Sequence, residues 1–165
     1  MSELRLESDG FESLIDEVLS KGDTLRFRAR GVSMQPFIRD GDILEIQPNG
    51  GESFRTTDIV LCKSPKGKLV AHRVVGTEME DGRGKLIIQG DALGQPDGNI
   101  DTGEVLGRVV AVIRDGEYKR VDTPFMRFAG HLWVRIVPAG RQFRNNLVRF
   151  KRYLTSLRRK HEISA

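Results

Sequence analysis

The feature that most limits what this chain can fold into is a series of short apolar runs, each bounded by residues that favour turns. Gly, Pro, Asn and Asp dominate the separators, as in Pro48-Asn49-Gly50-Gly51 and Pro65-Lys66-Gly67. Short runs at such spacing are typical of strands that are joined by hairpins. We therefore predict a mainly β domain, with strands near Leu25–Ala29, Ile43–Ile46, Ile59–Cys62, Leu69–Val75, Leu86–Ile88 and Val105–Ile113.

Ahead of the first predicted strand, the apolar residues recur at helical spacing instead of alternating. This pattern predicts an amphipathic helix within residues 1–23 that packs on the β domain, with Gly22 as its terminator. The β domain itself is expected over residues 24–121. The apolar positions that carry the helical pattern are Phe11, Leu14, Ile15, Val18 and Leu19.

A different pattern begins at Pro124. Beyond it, apolar residues step by four and three positions with Arg and Lys between them, and from Ala139 onward eight basic residues accompany a single acidic one, Glu162. Residues 122–165 are therefore predicted to form a basic amphipathic helical tail. The apolar positions are Phe143, Leu147, Phe150, Leu154 and Leu157.

The partner of this tail is left open by the sequence. The helix could dock on its own domain or on another protein. Its cationic flanks around an apolar stripe also suit an anionic membrane surface. Nucleic acid is disfavoured, because the tail has no aromatic platforms and no recognised binding motif.

Cysteine and histidine usage limits the chemistry of the chain. Cys62 is the single cysteine, so an internal disulfide is excluded and a cysteine-based zinc site is implausible. Its apolar neighbours indicate a buried strand residue. His72, His131 and His161 lack the spacing of helical metal ligands. The sequence therefore predicts neither a metal site nor a cofactor.

The first residues are acidic and show neither the basic flank nor the apolar core of a signal peptide. No window approaches the ~18–20 apolar residues that a membrane-spanning helix needs. We expect a cytoplasmic protein, with peripheral membrane attachment through the basic tail as the alternative.

Ser33 lies in a predicted tight turn directly after the first strand, within Gly31-Val32-Ser33-Met34-Gln35-Pro36. A serine hydroxyl is a poor nucleophile at neutral pH unless a base, itself oriented by a third group, takes its proton. His72 lies in a strand-like run, and Asp91 and Asp97 follow in a later loop. The residue types of a serine hydrolase are thus present, although spacing alone does not show that they meet.

Several segments together resemble the ordered sequence boxes of type I signal peptidases and LexA-type repressors. The resemblance covers about Leu25 to Ile113, and several boxes in one order are far more specific than Ser-Met-x-Pro alone. Bacterial signal peptidases and the repressors carry lysine where this chain has His72. The chain therefore resembles the archaeal and endoplasmic-reticulum branch, which carries histidine. The boxes are Gly31–Pro36, Ile38–Leu44, Thr57–Val60, His72–Gly76 and Gln89–Asp91.

The resemblance implies a role for each catalytic candidate. Ser33 matches the nucleophile and His72 the general base, a role that a histidine with a pKa near ~6.5 fills without a large shift. Asp97 is the better match to the third residue, and Asp91 is the alternative, which would otherwise order the loop by accepting backbone hydrogen bonds. Family members commonly have Ser or Thr where this chain has Gly31, so we expect an oxyanion hole made of backbone N–H groups, including that of Ser33.

The resulting expectation is a signal-peptidase-like serine endopeptidase that cleaves a peptide or protein through an acyl-enzyme. The resemblance implies small substrate side chains at P1 and P3. One alternative is a non-catalytic peptide-binding module of the same fold. Another is a LexA-like self-cleaving regulator, which is disfavoured because only one helix fits before residue 24 and a DNA-binding domain needs more.

Overall fold

A computed structural model describes residues 8–133 and 135–136, with side chains described from Ser13 onward. This part of the chain is mainly β, as predicted, and its eight strands form one antiparallel sheet that curls into a half-barrel. The strands are β1 (Leu25–Arg28), β2 (Ile43–Gln47), β3 (Ile59–Lys63), β4 (Leu69–Glu80), β5 (Arg83–Gln89), β6 (Gly98–Asp101), β7 (Val105–Arg114) and β8 (Glu117–Arg120).

Three helical segments accompany the sheet in the described residues. They are α1 (Ser8–Ser20), a short 3₁₀ helix (Thr102–Glu104) before β7, and α2, which covers residues 124–133 and 135–136. The helix α1 ends as its sequence predicts. Gly22 has φ +84°, its N–H donates to Leu19 O, and the N–H of Asp23 donates to Val18 O. This pair of bonds is a Schellman cap, which needs a left-handed residue and so favours glycine.

The order of strands in the sheet is β1-β2-β7-β3-β4-β5-β6, and β8 pairs with β7 on its own. Although β2 and β3 follow one another along the chain, β7 lies between them and pairs with both. The pairing register shifts at Glu45/Ile46, Leu61/Cys62 and Val74/Gly76. Such irregularities increase the local twist of a strand pair and help a sheet to curve.

The sheet separates two hydrophobic clusters, and successive residues of β3 point alternately into them. Ile59 and Leu61 belong to the larger cluster, which also receives Ile15 and Leu19 of α1. Cys62 belongs to the smaller cluster on the other side, and burial raises the pKa of its thiol to about 12. The thiol therefore stays protonated, which agrees with the packing role that its sequence context predicts.

The sequence pattern missed two strands and predicted one hairpin to be shorter than it is. β6 begins at Gly98, inside a segment that the composition predicts to be a loop, and β8 has four exposed residues with no apolar alternation. The hairpin of β4 and β5 continues beyond Val75 through residues with exposed polar side chains on both strands. Alternation of apolar and polar residues cannot reveal a strand without a buried face.

The change of pattern at Pro124 coincides with the start of α2. The predicted basic helix around Phe143–Leu157 lies outside the described residues. Among the helices that are described, none is long and apolar enough to cross a membrane.

Gly107 in the central strand β7 provides a test of the packing. A Cβ atom there would lie 2.7 Å from Ile46 Cγ2 and 2.8 Å from the backbone oxygen of Gln47, both in β2. We expect Gly107→Ala to lower the free energy of unfolding by about 1–3 kcal/mol, as overpacking does in well-packed cores. Chemical denaturation followed by circular dichroism measures this change.

Gly103→Ala is the matched control, because nothing lies within 4 Å of the Cβ position at Gly103. Its effect should stay within about 0.5 kcal/mol, as for most surface substitutions. Equal losses in the two variants would contradict the packing described for β7.

Candidate active site

Ser33 lies in a turn that two buried side chains anchor to the larger cluster. Met34 and Ile38 pack into that cluster on the chain segment after Ser33, and the N–H of Ile38 donates to Met34 O at 3.0 Å. At the start of the turn Gly31 has φ +96°, a left-handed conformation that disfavours other residues. The N–H of Gly31 donates to Asp40 Oδ1 at 2.7 Å.

This geometry accounts for the glycine at position 31. Ser or Thr would be strained at the positive φ of Gly31. Because the Gly31 N–H is already bound to Asp40, it is not available to a developing oxyanion. The backbone groups that remain as candidate oxyanion donors are the N–H of Ser33 and those of its neighbours.

Asp42 fixes the far end of the same turn. Its carboxylate accepts two hydrogen bonds from the guanidinium of Arg114 in β7, at 2.7 and 2.9 Å, and one from the backbone N–H of Arg39 at 2.7 Å. The hydrogen bonds from Arg114 lower the pKa of Asp42. The turn that carries Ser33 is thus held to the central strand of the sheet.

His72 lies in β4 with only 5% of its surface exposed, and it contacts two of the predicted catalytic residues. Its Nε2 is 3.0 Å from Ser33 Oγ, and its Nδ1 is 2.8 Å from Asp97 Oδ2. The second contact has the length of a hydrogen bond, but the carboxylate lies off the N–H axis and leaves Nδ1 without a well-aligned acceptor. Catalytic hydrogen bonds are often loose before substrate binds.

Burial is the main influence on the protonation of His72. Desolvation lowers the pKa of the imidazole below its usual 6.5, while the carboxylates of Asp97 and Asp91 act in the opposite direction. Burial therefore favours the neutral form of the ring. When its proton is on Nδ1 facing Asp97, Nε2 is free to accept a hydrogen bond from the hydroxyl of Ser33.

Asp97 is positioned by the end of β5. Its backbone N–H donates to Ile88 O at 2.8 Å, and its Oδ2 accepts a hydrogen bond from the N–H of Gly90 at 3.1 Å. Pro96 and Asp97 lie in the loop directly before β6, and this placement brings the carboxylate of Asp97 next to His72. Of the two aspartates considered from the sequence, Asp97 is the one whose carboxylate lies beside the ring of His72.

Asp91 has a different partner. Its two carboxylate oxygens accept hydrogen bonds from Nε and Nη2 of Arg73, both at 2.7 Å, in a fully buried pair. Burial raises the pKa of Asp91, and the Arg73 guanidinium opposes that rise. The expectation that the Asp91 carboxylate binds backbone N–H groups was wrong, because Arg73 occupies it, and no hydrogen bond or ion pair joins it to His72 in the described residues.

The loop between β5 and β6 also contacts Ser33 directly. The N–H of Ala92 donates to the backbone oxygen of Ser33 at 2.6 Å. The two segments approach so closely at Gly90 that a Cβ atom there would lie 2.8 Å from Ser33 O. One loop therefore supplies both the carboxylate beside His72 and a backbone hydrogen bond to Ser33.

The helix α2 completes the site in a way that sequence reasoning missed. Trp133 donates its Nε1–H to the backbone oxygen of Asp91 at 3.0 Å and packs edge-to-face on Phe37, 5.9 Å between ring centroids. Gly130 lies against Arg73, since a Cβ atom there would be 2.6 Å from Nη1. The one available signal was the single tryptophan, with a glycine three residues before it on the same helical face.

Comparisons with known proteins do not assign the chain to a family. No protein-family model matches the chain. A search of curated proteins finds no similar sequence either. The interpretation of the site therefore rests on its geometry and on the sequence boxes that carry the resemblance.

Asp97→Asn tests the contact between the carboxylate and the histidine. Because the charge of Asp97 raises the pKa of His72 against the desolvation that lowers it, its removal should move that pKa further below 6.5. Titration of the His72 imidazole nitrogens by NMR measures the shift.

Asp115→Asn serves as the control, because Asp115 lies in the exposed turn between β7 and β8 and does not act on His72. Its His72 titration should match that of the wild type. A His72 pKa in Asp97→Asn that equals or exceeds the wild-type value would remove Asp97 from this role.

Proposed function

We propose that the chain is a serine endopeptidase that resembles the histidine branch of the signal peptidases. The observation that carries the proposal is the continuous chain of contacts from Ser33 Oγ through the ring of His72 to Asp97, with distances of 3.0 and 2.8 Å. Nucleophile, base and orienting carboxylate in that arrangement are the elements of a serine hydrolase triad. The order of sequence boxes gives independent support.

In the proposed reaction the neutral imidazole of His72 takes the proton of Ser33 as Oγ attacks the scissile carbonyl carbon. The carboxylate of Asp97 stabilises the imidazolium that forms. Collapse of the tetrahedral intermediate breaks the peptide C–N bond, and His72 donates its proton to the leaving amine. Water, activated by the same histidine, then hydrolyses the acyl-enzyme.

An open strand edge beside His72 supports a peptide as the substrate. β4 pairs with β3 over the whole of Leu69–Arg73, whereas its pairing with β5 begins only at Arg73. Leu69–His72 therefore presents one edge that no described strand occupies. An extended peptide can add to such an edge through backbone hydrogen bonds, which would lead its scissile bond towards Ser33.

The side chains at this edge are compatible with an apolar substrate segment. Leu69 and Ala71 are partly buried and pack against the larger cluster. The resemblance implies small residues at P1 and P3. A non-catalytic binding module would use the same edge, so the decisive difference between the two functions is the reactivity of Ser33.

Covalent labelling with a fluorophosphonate, mapped by mass spectrometry, tests the nucleophile. We expect the wild type to be labelled at Ser33 and Ser33→Ala to be unlabelled. His72→Ala should slow labelling by about 100-fold or more, because a positioned general base contributes at least that much.

Ser53→Ala is the control, since Ser53 is exposed and its side chain takes no part in the site. It should be labelled at the wild-type rate. Wild-type labelling in Ser33→Ala would exclude Ser33 as the nucleophile, and a folded wild type that resists the reagent altogether would favour the binding module.

The pH dependence of labelling tests the state of His72. The base is active only when neutral, and desolvation lowers its pKa below 6.5. The rate should therefore be at its plateau at pH 7 and should fall as the pH decreases through the folded-state pKa, with a midpoint below 6.5. Circular dichroism at each pH excludes acid unfolding as the cause, and a midpoint above pH 7 would contradict the described environment of His72.

A further inference from the structure

The outer face of α2 carries an apolar stripe that the domain leaves uncovered. Four large apolar side chains recur at spacings of three, four and four residues, which places them on one side of a helix. Between 49% and 75% of the surface of each side chain stays in solvent: Phe125 75%, Phe128 68%, Leu132 49% and Ile136 55%. Isolated exposed apolar residues are common, but a contiguous row of them marks a binding surface.

The helix itself is fixed on the domain by its other face. Met126 packs against the larger cluster, Gly130 lies on Arg73, and Trp133 binds Asp91 O. These three positions follow the spacing i, i+4, i+7 and define the inner side of α2. The stripe therefore cannot become buried by a simple rotation of α2, because that would break the contacts of the inner face.

The charge of the surrounding sequence identifies the kind of surface that fits the stripe. From Pro124 to His161 the chain contains ten Lys or Arg residues and no Asp or Glu. Two of them, Arg127 and Arg135, belong to α2. Arg127 pairs with the buried Asp58, whereas Arg135 is exposed.

We propose that α2 docks on an anionic lipid surface through Phe125, Phe128, Leu132 and Ile136, and the excess of basic residues in the sequence from Pro124 to His161 favours anionic over neutral lipid. Apolar side chains that enter the interfacial region together with flanking cations are what such surfaces bind. A second copy of the chain would bring two strongly cationic segments together. Nucleic acid would use the cations and leave the apolar stripe exposed.

The proposal is independent of the peptidase chemistry, but it has a structural connection with the site. The same helix contacts the membrane through its outer face and the Arg73–Asp91 pair through its inner face. A docked molecule would hold its strand edge and Ser33 at a fixed position relative to the lipid surface. Substrates at or near that surface would then be favoured.

Co-sedimentation of the full chain with vesicles tests the proposal. Wild type should bind phosphatidylcholine vesicles that contain phosphatidylglycerol and bind pure phosphatidylcholine vesicles weakly. The double variant F128S/L132S should bind the anionic vesicles at least about tenfold more weakly, because two apolar side chains no longer enter the interface. Since both residues are exposed, the fold should be retained, and circular dichroism checks this.

The control variant is L14S/M79S, which removes two exposed apolar residues far from α2 in sequence, with exposures of 41% and 74%. It should bind anionic vesicles as wild type does. Ser33→Ala should also bind as wild type does, so that failure of the peptidase assignment and failure of lipid docking give different results.

Trp133 gives a second measurement, because it is the only tryptophan and lies on α2. Brominated lipids in anionic vesicles should quench its fluorescence in wild type and quench it less in F128S/L132S. The proposal is overturned by equal vesicle binding of wild type and the folded double variant, or by equal binding to neutral and anionic vesicles. It is also overturned if the double substitution dissociates a dimer, or if only nucleic acid is bound.

Discussion

The buried ion pair between Arg73 and Asp91 is the interaction on which the geometry of the candidate site depends. Two charges withdrawn from water are tolerated only when hydrogen bonds replace their hydration, and loss of one partner typically costs about 3–5 kcal/mol. Here the guanidinium donates to both carboxylate oxygens and to Thr57 O, and it stacks over the ring of Phe37. The pair thereby fixes the strand that carries His72, the loop that carries Asp97 and the helix α2 relative to one another.

Much of the fold could be predicted because most strands have a buried face. Alternation and apolar runs located six strands, and the helical spacing of Ile15 and Leu19 located α1 correctly. β6 and β8 were missed for physical reasons. β8 is exposed on all four residues, and β6 begins in a glycine-rich segment that becomes a strand only through its pairing with β5. Pairing of that kind is a tertiary effect that local sequence does not encode.

The site was predictable in its residue types but not in its full arrangement. Ser33 and His72 stood out because each lay in a recognisable box, and Asp97 was preferred to Asp91 from the resemblance. The partners of the Asp91 and Asp97 carboxylates depend on the path of the loop after β5. That path is set by the close approach at Gly90 and by the hydrogen bond from the Ala92 N–H to Ser33 O. The sequence did not reveal the cluster of side chains around the buried ion pair. Charge or aromaticity alone does not show which residues pack together. The cluster consists of Arg73, Phe37, Gly130 and Trp133.

The position of β7 has a consequence for how the molecule matures. The serine turn belongs to the side of the sheet built by β1 and β2, whereas the histidine belongs to the side built by β3, β4 and β5. Among the strands that the structure describes, β7 joins these two sides. A nascent chain that has emerged only as far as β6 already contains Ser33, His72 and Asp97, yet it lacks the strand that aligns them. Long-range pairing of this kind forms late because distant segments must first meet. The contact between Ser33 and His72 therefore depends on a strand that is synthesised after both residues.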